Sequence, residues 1–219
     1  MKEASGVVFR IAEGNRPIPG CTVSKEIYSN ADSYIIHFSM AANTDISAEH
    51  YEYHKLIMVL EGQVIIYAPR KNQEWHLGVG DCIITPTGVP VGMRCSQDSI
   101  YTEISLERTS TMNTAIHSGE LFRLADLLPY QEGRVVNMDI MSNSKMKFLI
   151  MSFDKGSGLA EHAAPGEALI FALDGEGTIV YEGKEHVLKP GDNFVFAKNG
   201  KHAIKAHERF KMALLLTLE

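Results

Sequence analysis

Ser5-Gly6-Val7-Val8-Phe9-Arg10-Ile11-Ala12-Glu13 returns 113 residues later as Ser118-Gly119-Glu120-Leu121-Phe122-Arg123-Leu124-Ala125-Asp126. The same shift sets Gly20 over Gly133, Val23 over Val136, Ile27 over Ile140 and Ser29-Asn30 over Ser142-Asn143, so residues 5–30 and 118–143 share 10 of 26 positions. The register holds without a gap through Leu60-Glu61-Gly62, which lies over Leu173-Asp174-Gly175. It then falls to 111, with Gly80-Asp81 over Gly191-Asp192. The first copy therefore carries two extra residues, expected in a hairpin around Ala68–Glu74. A period above 100 residues is far longer than the roughly 20–50 residues of a solenoid repeat. It reads as one domain present twice, at residues 1–110 and 114–219. The stretch from Glu107 to Thr114 lacks apolar periodicity and reads as the linker.

Within each copy the signal is β. Leu56–Leu60, Val64–Tyr67, Ala168–Leu173 and Thr178–Tyr181 are short apolar runs bounded by Gly-Asp or Glu-Gly turn signals. The run from Phe210 to Leu218 is long enough for a central strand buried on both faces. Leu121–Leu128, closed by Pro129, reads as a short helix or as a strand with a turn. Many short strands at turn spacing imply an all-β sandwich or barrel in each copy.

Composition narrows the function. The chain has 219 residues, is 45% hydrophobic, and balances 21 Lys+Arg against 27 Asp+Glu for a net charge of −6. That balance, with no basic cluster, argues against nucleic acid and against anionic membrane surfaces as partners. No apolar run reaches the roughly 18 residues of a bilayer span. The opening Met-Lys-Glu-Ala-Ser-Gly lacks the apolar stretch of a signal peptide, and Cys21, Cys82 and Cys95 contain no Cys-x-x-Cys. The expectation is a reducing cytoplasm.

The glycine and histidine spacings resemble those of the cupin superfamily, whose motifs run G-x5-H-x-H-x3,4-E-x6-G and G-x5-P-x-G-x2-H-x3-N. The second copy has Gly156, five residues and His162, then later Gly191, five residues, Ala197, Asn199 and His202. The first has Gly80, five residues, then Pro86-Thr87-Gly88. The resemblance implies a bicupin: two tandem double-stranded β-helix, or jelly-roll, barrels. It also implies three His and one Glu at the mouth of each metal-binding barrel. Counted back from Gly175, those positions hold His162, Ala164 and Ala168, with His202 as the late histidine. Counted back from Gly62, the first copy has Glu49, Tyr51 and Lys55, with Val91 at the late position.

The first copy thus has none of the expected ligands. Strand alternation turns Lys55 into the barrel, where an ammonium needs a partner. A structural ion pair between Glu49 and Lys55 is expected; a reactive amine of Schiff-base type is the other reading. In the second copy His162 and His202 should face each other. One reading is a pocket for a small polar metabolite lined by His162, His202, Glu167 and Tyr181. The other is a metal-dependent enzyme of dioxygenase, isomerase or decarboxylase type. It would use His162 and His202 as ligands to one divalent transition metal (Fe, Mn, Ni, Cu or Zn). Glu167 lies one residue off the family's Glu position, and a shift of one moves a strand side chain to the opposite face. By family analogy a metal-free epimerase would pair a histidine base with a tyrosine acid, and Tyr181 is the candidate acid. A purely structural bicupin is a further reading. His50 and His54 fall where a loop enters a strand and read as a surface pair. Asp81 and Asp192 read as turn-shaping residues. The chain is expected to be a monomer or a homodimer.

Overall fold

The computed structural model describes residues 1–30, 33–106 and 110–218. Four antiparallel sheets are stacked face to face. A six-stranded sheet runs in the order Leu121–Arg123, Asp81–Ile84, His54–Glu61, Ser99–Leu106, Tyr34–Met40, Thr22–Ser29. A seven-stranded sheet repeats that order with Val8–Phe9, Asn193–Phe196, Ala168–Gly175, Phe210–Thr217, Met146–Phe153 and Val135–Ser142, and adds Thr111–Met112 at its edge. Each large sheet carries a four-stranded partner on its outer face. For the first half this is Asp45–His50, Pro90–Arg94, Val64–Ala68 and Gln73–Leu77; for the second it is Gly158–Ala163, Lys201–Lys205, Gly177–Tyr181 and Lys184–Leu188. The expected barrels are thus jelly rolls of two facing sheets, not cylinders closed by hydrogen bonds.

Strand alternation explains the apolar runs. In His54–Glu61, Leu56 and Met58 join the core between the two large sheets, while Ile57 and Val59 join the interior of the first jelly roll. In Ala168–Gly175, Leu169 and Phe171 take the central core and Ala168, Ile170 and Ala172 the second interior. Both strands are covered on both faces, so period-two alternation disappears from their sequence. The Phe210–Thr217 strand follows the same rule, and the Leu121–Leu128 stretch resolves into a strand, Leu121–Arg123, followed by one helical turn, Leu124–Leu127.

The sequence halves and the sheets do not coincide. Val8–Phe9 pairs with Asn193–Phe196 of the second half, and Leu121–Arg123 pairs with Asp81–Ile84 of the first. Each half thus lends an edge strand to the other. Thr111–Met112, expected in the linker, pairs with Met141 and Ser142; residues 107–109 of that linker lie outside the described residues. The two extra residues of the first copy sit in the hairpin where Pro69–Lys71 forms a 3-10 turn, whereas the second copy closes with Glu182-Gly183, both at positive φ. That is the type I′ geometry that suits a two-residue hairpin.

Two motif glycines have a steric reason. Gly62 (φ 76°) and Gly175 (φ 70°) occupy the left-handed region, and a Cβ there would lie 2.2 Å from Asp98 O and 1.8 Å from Arg209 O. Only glycine fits where the strand bends so close to a neighbouring backbone. No described helix is long and apolar enough to cross a membrane.

Candidate functional site

The second jelly roll brings three of the expected residues into one row. His162 on Gly158–Ala163 lies opposite His202 on Lys201–Lys205, and His202 lies opposite Tyr181 on Gly177–Tyr181. The two imidazoles are 4.3 Å apart between centroids at 56°. Phe196 stacks on His202 at 3.9 Å and 16°. His162 is exposed while His202 is 4% exposed, so the pair joins solvent to the interior.

Backbone carbonyls set the tautomers. His162 Nδ1 lies 2.9 Å from Ala160 O, and His202 Nδ1 lies 3.0 Å from Gly200 O. A carbonyl only accepts, so each Nδ1 donates, and a neutral ring then keeps its Nε2 as an acceptor. Burial lowers the pKa of His202 below its ordinary value, and the neighbouring His162 adds to the shift against the opposing Gly200 carbonyl. His202 is therefore neutral at pH 7 and presents a lone pair.

Two expected partners stand elsewhere. Glu167 points away from the interior, as its offset implies, and pairs with the Met1 amino group. Tyr181 lies beyond His202, two strands from His162, and its hydroxyl accepts the Ala197 amide at 3.3 Å. It is not placed across from His162, as a proton donor working with a His162 base would need to be.

The first jelly roll holds a different cluster at the matching place. Val91 faces Glu49 in the register that His202 and His162 occupy in the second half. Lys55 is 6% exposed, and its carboxylate partner is Glu103 at 3.0 Å, not Glu49. The register gives the reason: Lys55 sits opposite Ser105, and Glu103 is two residues along the same face of that central strand. Glu49 instead accepts the hydroxyl of Tyr51, whose ring lies 3.4 Å beneath the Lys55 ammonium. Tyr34 donates to Glu103 at 2.7 Å and meets the Tyr53 hydroxyl at 3.2 Å. Burial first, and then the Glu103 charge, raise the Tyr34 pKa far above its ordinary value. A cation lies inside this half, but the protein itself supplies it. Glu103 was missed by motif counting. Its signal was present nonetheless, as the one charged residue in the Ser99–Leu106 run.

His50 and His54 do not form a ligand pair: His54 meets Thr85 O at 2.6 Å and His50 lies 3.6 Å from Glu52. Asp81 and Asp192 shape their turns by accepting the amides of Gly78 and Lys189. Cys82 is fully buried, and burial pushes its thiol pKa up to about 12.

Residues 149–218, which carry His162 and His202, match the cupin domain family model. Over 99% of the chain and 98% of the other, the structure superposes on a Cupin 2 conserved barrel domain protein from Leptotrichia buccalis, with a TM-score of 0.85 and 28% identity. The second half thus matches the cupin domain family, and the whole chain has the cupin fold. More distant cupin likenesses share the fold alone. Salicylate 1,2-dioxygenase from Pseudoaminobacter salicylatoxidans, in its adducts with gentisate, matches with a TM-score of 0.60, 13% identity, and 88% and 72% of the two chains. Protein Ylba from E. coli matches with a TM-score of 0.55, 14% identity, and 90% and 82% of the two chains. No curated protein matches the chain in sequence.

Cupins commonly hold a transition metal. Among the described residues no group of three His, Cys, Asp or Glu is placed to hold an ion. His162 and His202 stand together, but Ala164 and Ala168 occupy the remaining motif positions and Glu167 is engaged by Met1. Catalytic zinc sites keep three protein ligands. The two-histidine set does not fit a firmly held metal.

Proposed function

We propose that this cupin binds a small polar molecule over the His162–His202 pair of its second jelly roll. The observation that carries the reading is the pair of imidazoles whose Nδ1 atoms are tied to backbone carbonyls, with Nε2 left as acceptor. Two acceptors side by side, backed by the Phe196 ring, suit a ligand that presents O–H or N–H donors beside an apolar edge. The Lys55–Glu103 pair gives the first jelly roll a supporting role: a satisfied ion pair with three tyrosines around it holds that half together. The test is a thermal-shift panel of polyols, hydroxy acids and amino acids against wild type and His162→Ala/His202→Ala. Stabilisation of wild type by members of the panel, lost in the double variant, supports the reading. A panel that stabilises both proteins alike, or neither, overturns it.

A further inference from the structure

A cavity lies on the seam between the two large sheets, and neither His162 nor His202 lines it. It has a volume of about 450 Å³ and is lined by repeat-related residues: Met58 and Leu60 from one sheet, Phe171 and Leu173 from the other, with Arg10 and Arg123. The two arginines occupy equivalent positions of the lent edge segments. Each is anchored through Nε to an aspartate of the other half, Arg10 to Asp192 at 2.8 Å and Arg123 to Asp81 at 2.7 Å. The second oxygen of each aspartate is already taken by the Lys189 or the Gly78 amide. A guanidinium offers five N–H donors. Among the described residues, only the Nε donor of each arginine is used by a protein acceptor, and the side chains are 47% and 55% exposed.

The aspartates orient these cations without filling their outer forks. Such a fork matches a carboxylate in two parallel hydrogen bonds. The cleft beneath it is apolar, and its size falls in the range of small-molecule pockets. We propose that the seam cleft binds an amphipathic carboxylate, with its apolar body between Leu60 and Leu173 and its carboxylate on the Nη groups of Arg10 or Arg123. This site is independent of the His162–His202 reading, and a ligand there would tie together the two halves at their exchanged strands.

The test is calorimetric titration of the full chain at low salt with decanoate, and with decyltrimethylammonium as the cationic counterpart. Decanoate is expected to bind saturably, with the cation at least about 10-fold weaker, as expected for a charge-assisted hydrogen bond. Arg10→Gln/Arg123→Gln is expected to weaken decanoate by about 10–100-fold. Because those changes also loosen the exchanged strands, the wall residue Val79, 57% exposed, supplies a second arm. Val79→Glu should weaken decanoate and Val79→Lys should tighten it at unchanged thermal stability, while His162→Ala should leave it unaltered. Equal binding of the cation, equal affinities in the two Val79 variants, loss of binding in His162→Ala, or no saturable binding up to millimolar decanoate would each overturn the proposal.

Discussion

Acidification from pH 7.5 to 5.0 is expected to cost the fold about 2 kcal/mol through His37 alone. His37 lies on Tyr34–Met40 in the face turned to the other large sheet and is 0% exposed. Its Nδ1 lies 2.9 Å from Thr102 Oγ1, and its Nε2 has no partner among the described residues. Burial holds its pKa down to about 3 from an ordinary 6.5, and the Lys25 charge opposite in register adds to the effect. The folded chain therefore keeps this ring neutral while the unfolded chain protonates it. Its full stability is present above pH 6.5 and is lost as pH falls from 6.5 towards 3, by up to about 1.4 kcal/mol per unit. At pH 5.0 the unfolded state has gained about 2 kcal/mol, which for a chain of this length corresponds to a melting-temperature loss of about 4–8 °C. Other groups also titrate in this window, so the quantity to read is a difference. Urea unfolding at pH 7.5, 6.5 and 5.0 is compared between wild type and His37→Gln, whose amide can still bond Thr102 but does not titrate. The stability gap should close by about 2 kcal/mol between pH 7.5 and 5.0. Parallel pH dependences would refute the reasoning, because a His37 that accepts a proton in the folded state is not sealed between the sheets.

Other consequences are equally direct. Lys55→Met or Glu103→Gln alone should destabilise the chain by about 3–5 kcal/mol in chemical unfolding, since each strands a buried group. Lys55→Met/Glu103→Leu together should recover most of that loss. Phe148→Ala empties a fully buried site in the core between the large sheets and should cost about 3–5 kcal/mol by the same measurement. Gly175→Ala should reduce soluble yield and melting temperature sharply, because its Cβ would collide with the Arg209 carbonyl. Ligand binding at the second jelly roll should weaken on acidification only below the ordinary histidine range, since burial holds the His202 pKa down and its protonation removes the Nε2 acceptor; isothermal titration across pH 4–8 reads this.

Much of the architecture was legible in the sequence because backbone constraints leave residues behind. The 113-residue shift aligned Gly62 with Gly175, and the 111-residue shift Asp81 with Asp192; each matched pair shapes the same bend or turn. The facing of His162 and His202 was implied by the resemblance to the cupin motifs, whereas the outward turn of Glu167 followed from strand alternation, which is a local rule. Longer-range arrangements were not legible. The exchange of Val8–Phe9 and Leu121–Arg123 between halves depends on how the two large sheets stack, and no local pattern encodes it. The partner of Lys55 was misassigned for the same reason. Glu49 shares the mouth with it, but cross-strand register brings Glu103 within 3.0 Å. Tyr181 was placed correctly on its strand, yet its hydroxyl direction depends on the 197–200 turn.

The central claim is that His162 and His202 present unprotonated Nε2 atoms to a ligand, and long-range proton–nitrogen spectra of the histidine rings test it most directly. At pH 7.5 the account expects both rings as the Nδ1–H tautomer, with Nε2 resonances that move when a stabilising member of the polyol, hydroxy-acid or amino-acid panel is added. Nε2–H tautomers, or Nε2 resonances that stay fixed with every member of the panel, would contradict it.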